Sequence, residues 1–254
     1  MSDKNITIAS ESHHWYQQDG TPCYEVPNKS NGGMRATTLR DAKKLNLVPS
    51  VTTVLNILAK PGLEQWKQKQ VLMSALTLPK IDGETLDEYA ARVLQDGAEQ
   101  AKQAAETGTR IHGSIECAIQ GNSYPEVDIP YVGAALAEMR KLNVNGWAVE
   151  KSFARNGYGG KVDLHSPEGI VIDFKTKEFA PEIPADKLVW PEMSVQLSAY
   201  RLGLGMPSAR CFNVIVSVNN PGLAVTYEWP EEKLKQAEAI FLATLKVWRL
   251  VKGV

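Results

Sequence analysis

The sequence predicts an α/β protein, with a central mixed sheet flanked by helices and an N-terminal helical region ahead of it. Three observations carry that prediction. Three consecutive β-type segments run from Trp147 to Thr176, two more run from Arg210 to Trp229, and helical periodicity fills the stretches before, between and after them. The resulting order is helices, three strands, helix, two strands, helix, which suits one sheet covered by helices. At 254 residues the chain can bury a substantial core, and it reads as a single domain with a helical insertion. Residues 1–107 form its N-terminal hairpin and helical part, 108–229 its core and 230–254 its last helix.

From the N-terminus, His14 to Val26 reads as a hairpin turning at Asp19-Gly20, and residues 27–49 read as a polar loop rich in Gly and Asn. Ser50 is the N-cap of a short helix through Ala59, and Pro61-Gly62 separates it from a second helix, Leu63 to about Leu76. From Leu86 to Ile119 the pattern is helical, with Gly97 and Gly108 predicting breaks or close packing rather than a single rod. A helix from Tyr131 to Leu142 leads through residues 143–146 into strands Trp147 to Arg155, Gly160 to Ser166 and Gly169 to Thr176. A helix from about Pro191 to Gly203 precedes strands Arg210 to Val218 and Leu223 to Trp229. The chain closes on an amphipathic helix, Glu231 to Val251, whose Phe241, Leu245 and Trp248 are packing residues.

Composition excludes more than it identifies. With 28 Lys+Arg against 29 Asp+Glu the net charge is -1, which rules out a globally basic nucleic-acid binder and leaves room for a local basic groove. Cys23, Cys117 and Cys211 are odd in number and scattered, so they form neither a disulfide framework nor a zinc site. No stretch approaches the roughly 20 apolar residues of a membrane span. The start, Met1-Ser2-Asp3-Lys4-Asn5, lacks the features of a signal peptide, so a soluble, cytoplasmic protein without membrane contact is expected.

The chemistry is concentrated in Gly160-Lys161-Val162-Asp163, followed ten residues after that aspartate by Asp173-Phe174-Lys175-Thr176. On a period-two strand Val171, Asp173 and Lys175 share one face, while Ile170, Ile172 and Phe174 share the other, which makes a core face. With Pro167-Glu168-Gly169 as the turn, Asp163 falls opposite Asp173. Two facing carboxylates repel, and a cation between them resolves the repulsion. The bland alternative is a solvated strand face whose Asp–Lys pair contributes little. Upstream, His112 and Glu116 share a helical face, as do Gln196 and Tyr200 downstream; taken singly, each pair is ordinary.

Together, His112, Glu150, the Gly-Gly-Lys-Val-Asp163 element, Asp173-Phe174-Lys175-Thr176 and Gln196-x-x-x-Tyr200 resemble the PD-(D/E)XK nuclease superfamily, in its RecB-like branch. The resemblance covers roughly residues 108 to 204. Pro49-Ser50-Val51-Thr52-Thr53-Val54-Leu55 is also similar to the leading segment of phage-type exonucleases and of mitochondrial genome maintenance exonuclease within that branch. The resemblance implies a restriction-endonuclease-like core and Mg²⁺ or Mn²⁺ bound by Asp163, Asp173, the Phe174 carbonyl and His112. It also implies a catalytic Lys175, and an acidic partner in Glu150 or Glu116. Gln196 and Tyr200 would organise the site or touch nucleic acid, and Arg110 and Lys177 would contact phosphate.

The activity so implied is metal-dependent hydrolysis of DNA from its ends, in recombination, repair or replication, with DNA as partner. A homo-oligomer and a recombination or replication partner protein are compatible with the branch. A structure-specific endonuclease, a non-catalytic DNA-binding subunit of the same fold and a metallohydrolase acting elsewhere are the alternatives. Three cysteines are too few for the iron–sulfur cluster of some relatives, and no Gly-x-x-x-x-Gly-Lys-Ser/Thr loop encodes a motor. Lys60, Lys67, Lys69 and Lys80 with Trp66 suit a DNA path, although such residues more often form the wet face of a helix.

Overall fold

In the computed structural model, which describes residues 14–28, 32–144 and 146–253, the N-terminal part is built from short elements. β1 (Trp15–Tyr16) leads into the expected turn, where Gly20 has φ +91° and the Gln17 N–H donates to the Thr21 carbonyl. The hairpin closes across it through an antiparallel Tyr16↔Pro22 bridge, with the Cys23 N–H donating to the Trp15 carbonyl at 2.8 Å; β1 also pairs with β4 (Val48–Pro49), and β2 (Glu25–Pro27) pairs with β3 (Met34–Ala36). The expected loop therefore carries strands. It also carries α1 (Leu39–Leu45), started by a reciprocal cap between Thr38 and Asp41, in which Asp takes the place usually held by Glu or Gln. The first five residues and Asn145 lie outside the described residues.

α2 (Val51–Leu55) begins as expected on Ser50, whose hydroxyl accepts from the Thr53 N–H at 2.9 Å, but it ends at Leu55, short of Ala59. α3 (Pro61–Thr77) opens on Pro61, where a missing N–H costs nothing. α4 (Leu86–Ile119) is one continuous helix of 34 residues, contrary to the expected interruptions. Its glycines serve the other purpose read from them, close packing. A Cβ on Gly97 would stand 2.9 Å from Val71 of α3, and one on Gly108 would stand 2.9 Å from the Thr176 hydroxyl. Each glycine costs a helix about 1 kcal/mol, which the approach of a second element offsets.

After α5 (Ile129–Arg140) come β5 (Ala148–Arg155), β6 (Tyr158–Ser166) and β7 (Ile170–Lys177), then α6 (Pro191–Gly203), β8 (Arg210–Ser217), β9 (Ala224–Glu228) and α7 (Glu231–Lys252). The five strands form one mixed sheet in the order β5-β6-β7-β8-β9, with β7 parallel to β8 and the other neighbours antiparallel. A parallel pair needs a crossover, and α6 supplies it. Asn156 (φ +55°) and Gly157 (φ +76°) turn the tight β5–β6 hairpin.

Both faces of the sheet are buried. On one, Ile170, Ile172 and Phe174 belong to a core shared with Ile111 and Ile115 of α4 and Val132 and Ala135 of α5. On the other, Val171 belongs to a core with Leu197 of α6 and Phe241, Leu245 and Trp248 of α7. The sequence pattern assigns β7 one core face and one open face; the crossover helix required by its parallel partner closes the second. Arg201 of α6, fully buried, donates to Glu231 at 2.7 Å and ties α6 to the start of α7. Among the described residues, no helix is long and apolar enough to cross a membrane.

Gly203 ends α6 against the Phe153 ring, which also meets Gly160, Tyr158 and Tyr200. A Cβ there would overlap the ring. Gly203→Ala gains about 1 kcal/mol of helix propensity but overpacks a closed site at a cost of about 1–3 kcal/mol. Net destabilisation is expected, visible as a melting temperature several degrees lower; an unchanged or higher value would show that the ring can move aside.

Candidate active site

The site forms where β6 and β7 separate. Their ladder runs Ser166↔Ile170, His165↔Val171, Leu164↔Ile172 and stops there, so the register would next set Asp163 opposite Asp173, as the turn predicts. Alternation along β6 also breaks at this level: Val162 belongs to the core under α6 and α7, Leu164 to the one under α4 and α5. The Phe174 N–H, deprived of a strand partner, donates instead to Asp163 Oδ2 at 2.9 Å. A side chain thus takes the place of a ladder bond, as a buried amide requires. Across β6, Glu150 falls in the gap between Val149↔Leu164 and Lys151↔Val162, with φ +53°. A left-handed glutamate is rare, and such strain persists only where the surroundings impose it.

Asp173 is 1% exposed, which excludes the solvated-face reading. Its Oδ1 accepts from Lys175 Nζ at 2.9 Å and Gln196 Nε2 at 3.1 Å, and its Oδ2 accepts from Asn213 Nδ2 at 2.7 Å. Burial pushes its carboxyl up to about 6; the Lys175 ammonium opposes that rise and the Asp163 carboxylate adds to it. Gln196 also donates to the Tyr200 hydroxyl at 2.9 Å. Its carbonyl oxygen stands 3.5 Å from Lys175 Nζ, so this α6 side chain bridges the acid and the amine.

His112 reaches the same point from α4. Its Nδ1 lies 3.8 Å from Asp163 Oδ2, and its ring meets Phe174 edge-on with centroids 6.2 Å apart. Two donors each roughly 2.1 Å from one ion can stand up to roughly 4.2 Å apart, so this pair can share a divalent cation. Two carboxylates and an imidazole suit Mg²⁺ or Mn²⁺ in donor chemistry. Among the described residues, however, no three His, Cys, Asp or Glu side chains are already drawn together as a metal cluster. Glu150 forms an ion pair with Lys161, and Glu116 accepts from Gln120 Nε2 at 3.2 Å, one turn further along α4.

The residues read as nucleic-acid contacts have varied places. Tyr200 is 5% exposed within the core, a place that suits organising the site. Arg110 pairs with the fully buried Asp128, to which Ser114 also donates at 2.7 Å, and so anchors the start of α5. Lys177 sets its ammonium 3.5 Å from the centroid of Trp190, whose ring a Cβ on Gly62 would meet at 2.8 Å. Trp190 thereby links β7 to the start of α3. On α3 itself Trp66 is half-buried, and Lys67 pairs loosely with Glu64 at 3.4 Å.

Sequence reasoning missed Asn213 and Trp229. Asn213 is buried on β8 opposite Asp173, and its Oδ1 accepts from the Trp229 indole N–H at 2.7 Å. The available signal was a lone amide in the apolar run Cys211-Phe212-Asn213-Val214-Ile215-Val216.

No family model matches the chain, and no curated protein matches it. Among solved structures it is similar to the crystal structure of SSO0001, at 14% identity over 71% of this chain and 85% of that one, with a TM-score of 0.31. A likeness that slight carries no argument about fold or function.

Burial lowers the Lys177 ammonium to about 8, against a smaller raising influence from Glu192. A depressed lysine is strained in its charged form at neutral pH, so Lys177 should react with amine-acylating reagents with a midpoint near pH 8, well below the ordinary value of about 10.4. Trp190→Ala removes both a cation–π partner and the cover from water. Because burial is the larger influence, the midpoint should rise, as peptide mapping across a pH series would measure; a fall would make the ring contact dominant.

Proposed function

We propose that this chain is a metal-dependent DNA exonuclease of the PD-(D/E)XK class, RecB-like branch, with a restriction-endonuclease-like core, hydrolysing phosphodiester bonds from DNA ends. One observation carries the reading. His112 of α4, Asp163 of β6, Asp173 and Lys175 of β7 and Gln196 of α6, separate in sequence, meet where the two strands part. Asp163, Asp173 and His112, with the Phe174 carbonyl, would hold Mg²⁺ or Mn²⁺. When bound, the ion offsets phosphoryl charge and lowers the pKa of a water from about 15.7 towards neutrality.

The chain's own groups do the rest. Lys175, held between Asp173 and Gln196, offers a cation to the developing charge on the phosphate and cannot swing away without breaking both contacts. The burial that pushes Asp173 up makes its anion avid for positive charge, whether from Lys175 or from an ion. Lys177, two residues further along β7 with its ammonium against Trp190, would meet an adjacent phosphate only by leaving that ring. The preference for ends rests on the resemblance of residues 49–55 to the leading segment of phage-type exonucleases. That segment adjoins the site's strand β6 through a Ser50–Gly159 bridge.

Linear DNA with labelled ends should be degraded with Mg²⁺ or Mn²⁺ and preserved with EDTA, while covalently closed circles stay intact. Asp173→Ala and Lys175→Ala should each lower the rate by about 10²–10³ or more, the scale of losing one preorganised charge-stabilising group. Cutting of circles would replace the exonuclease with a structure-specific endonuclease. Binding without cleavage by the wild-type protein would favour a non-catalytic subunit, and degradation that survives EDTA would overturn the reading.

A further inference from the structure

Asp173 Oδ2 is also held by a two-residue relay that no motif described above contains. Trp229 follows β9, and its main-chain N–H donates to the Cys211 carbonyl at 2.9 Å, which fixes the indole beside β8. The ring packs edge-on against Tyr227 with centroids 5.0 Å apart. Its Nε1–H donates to Asn213 Oδ1 at 2.7 Å, and Asn213 Nδ2 donates in turn to Asp173 Oδ2 at 2.7 Å and to the Asp173 main-chain carbonyl at 3.2 Å. Asn213 is wholly buried, so no water competes for these bonds.

The direction of this relay is dictated by chemistry. An indole N–H only donates and a carboxylate only accepts, whereas an amide does one at each end. Trp229 therefore selects the amide orientation that turns the Asn213 NH₂ towards Asp173; the flipped amide would set donor against donor at one end and oxygen against oxygen at the other. We infer that Asn213, oriented by Trp229, is a positioning residue that fixes the Asp173 carboxylate for cation binding. The inference rests on the metal-dependent reading of the same site and adds a support to it at Asp173 Oδ2, the oxygen that Lys175 Nζ also reaches at 2.8 Å. Both are buried and act through Asp173. Partners of this kind typically change metal affinity or activity by about 10–100-fold when removed.

The informative variant is Trp229→Phe, which keeps a ring for Tyr227 and removes the donor together with some buried volume. Asn213→Leu, close in volume, removes the amide itself and provides a second route if the first does not fold. For the full-length protein three quantities are measured: the melting curve, the Mn²⁺ dissociation constant from loss of the free-ion paramagnetic resonance signal without nucleic acid, and cleavage of end-labelled linear DNA. The expected result is a cooperative melt in each variant with Mn²⁺ bound about tenfold more weakly after Trp229→Phe and more weakly still after Asn213→Leu. Wild-type Mn²⁺ affinity and cleavage in a folded variant would overturn the inference and leave the nuclease reading standing. If the wild-type protein itself bound no Mn²⁺ and cut no DNA, the reading would fall and the inference with it.

Discussion

A buried carboxylate constrains this molecule more than any other group. Asp173 lies at the centre of a five-stranded sheet with 1% exposure, and an anion taken out of water must be repaid in hydrogen bonds and positive charge. The partners come from three elements: Lys175 on its own strand, Gln196 on the crossover helix and Asn213 on the parallel neighbour β8. Removing the crossover would expose the acid to water; removing β8 would leave one oxygen without its amide. The parallel step in an otherwise antiparallel sheet is thus tied to the site, because it places both α6 and Asn213 against one carboxylate.

The second constraint is the parting of β6 from β7. A ladder continued past Leu164↔Ile172 would pair Asp163 with Asp173 at close range and close the gap between the strands. The chain instead breaks its alternation at Asp163 and accommodates Glu150 at φ +53° on the strand beyond. The freed amide of Phe174 is satisfied by the Asp163 side chain. β5 and β6 keep regular pairing on either side of this level, whereas the β6–β7 ladder does not resume beyond Leu164↔Ile172. This is where the functional reading places the chemistry, and it is the pattern expected when a site departs from local folding rules.

Away from that level, most elements were legible because they bury strongly periodic faces. The helix from Pro191 to Gly203 was readable to the residue: Pro opens it, and its apolar positions face the sheet. The three-strand run was read within two residues at each end, since glycine-containing turns bracket β-branched segments. The misreadings share a cause. Gly97 and Gly108 left breaks and close packing both open, because glycine weakens a lone helix, and only the neighbours, Val71 and Thr176, show that they are contact points in one continuous rod. The loop assigned to residues 27–49 hid a helix whose Thr38–Asp41 cap was a weaker signal than the surrounding polar composition.

The sequence by itself determined the class of the fold, the strands that carry Asp163, Asp173 and Lys175, their register across the hairpin and the helices that carry His112 and Gln196. Those follow from period-two and period-3.6 patterns and from turn residues, which are local. Only the tertiary structure decided which groups share the carboxylate's surroundings. Asn213 and Trp229 entered the site, Arg110 went to Asp128, Tyr200 went into the core and Lys177 settled against Trp190. These are contacts between residues distant in sequence, set by how helices close over both faces of the sheet, and a residue's own neighbours in the chain carry no record of them.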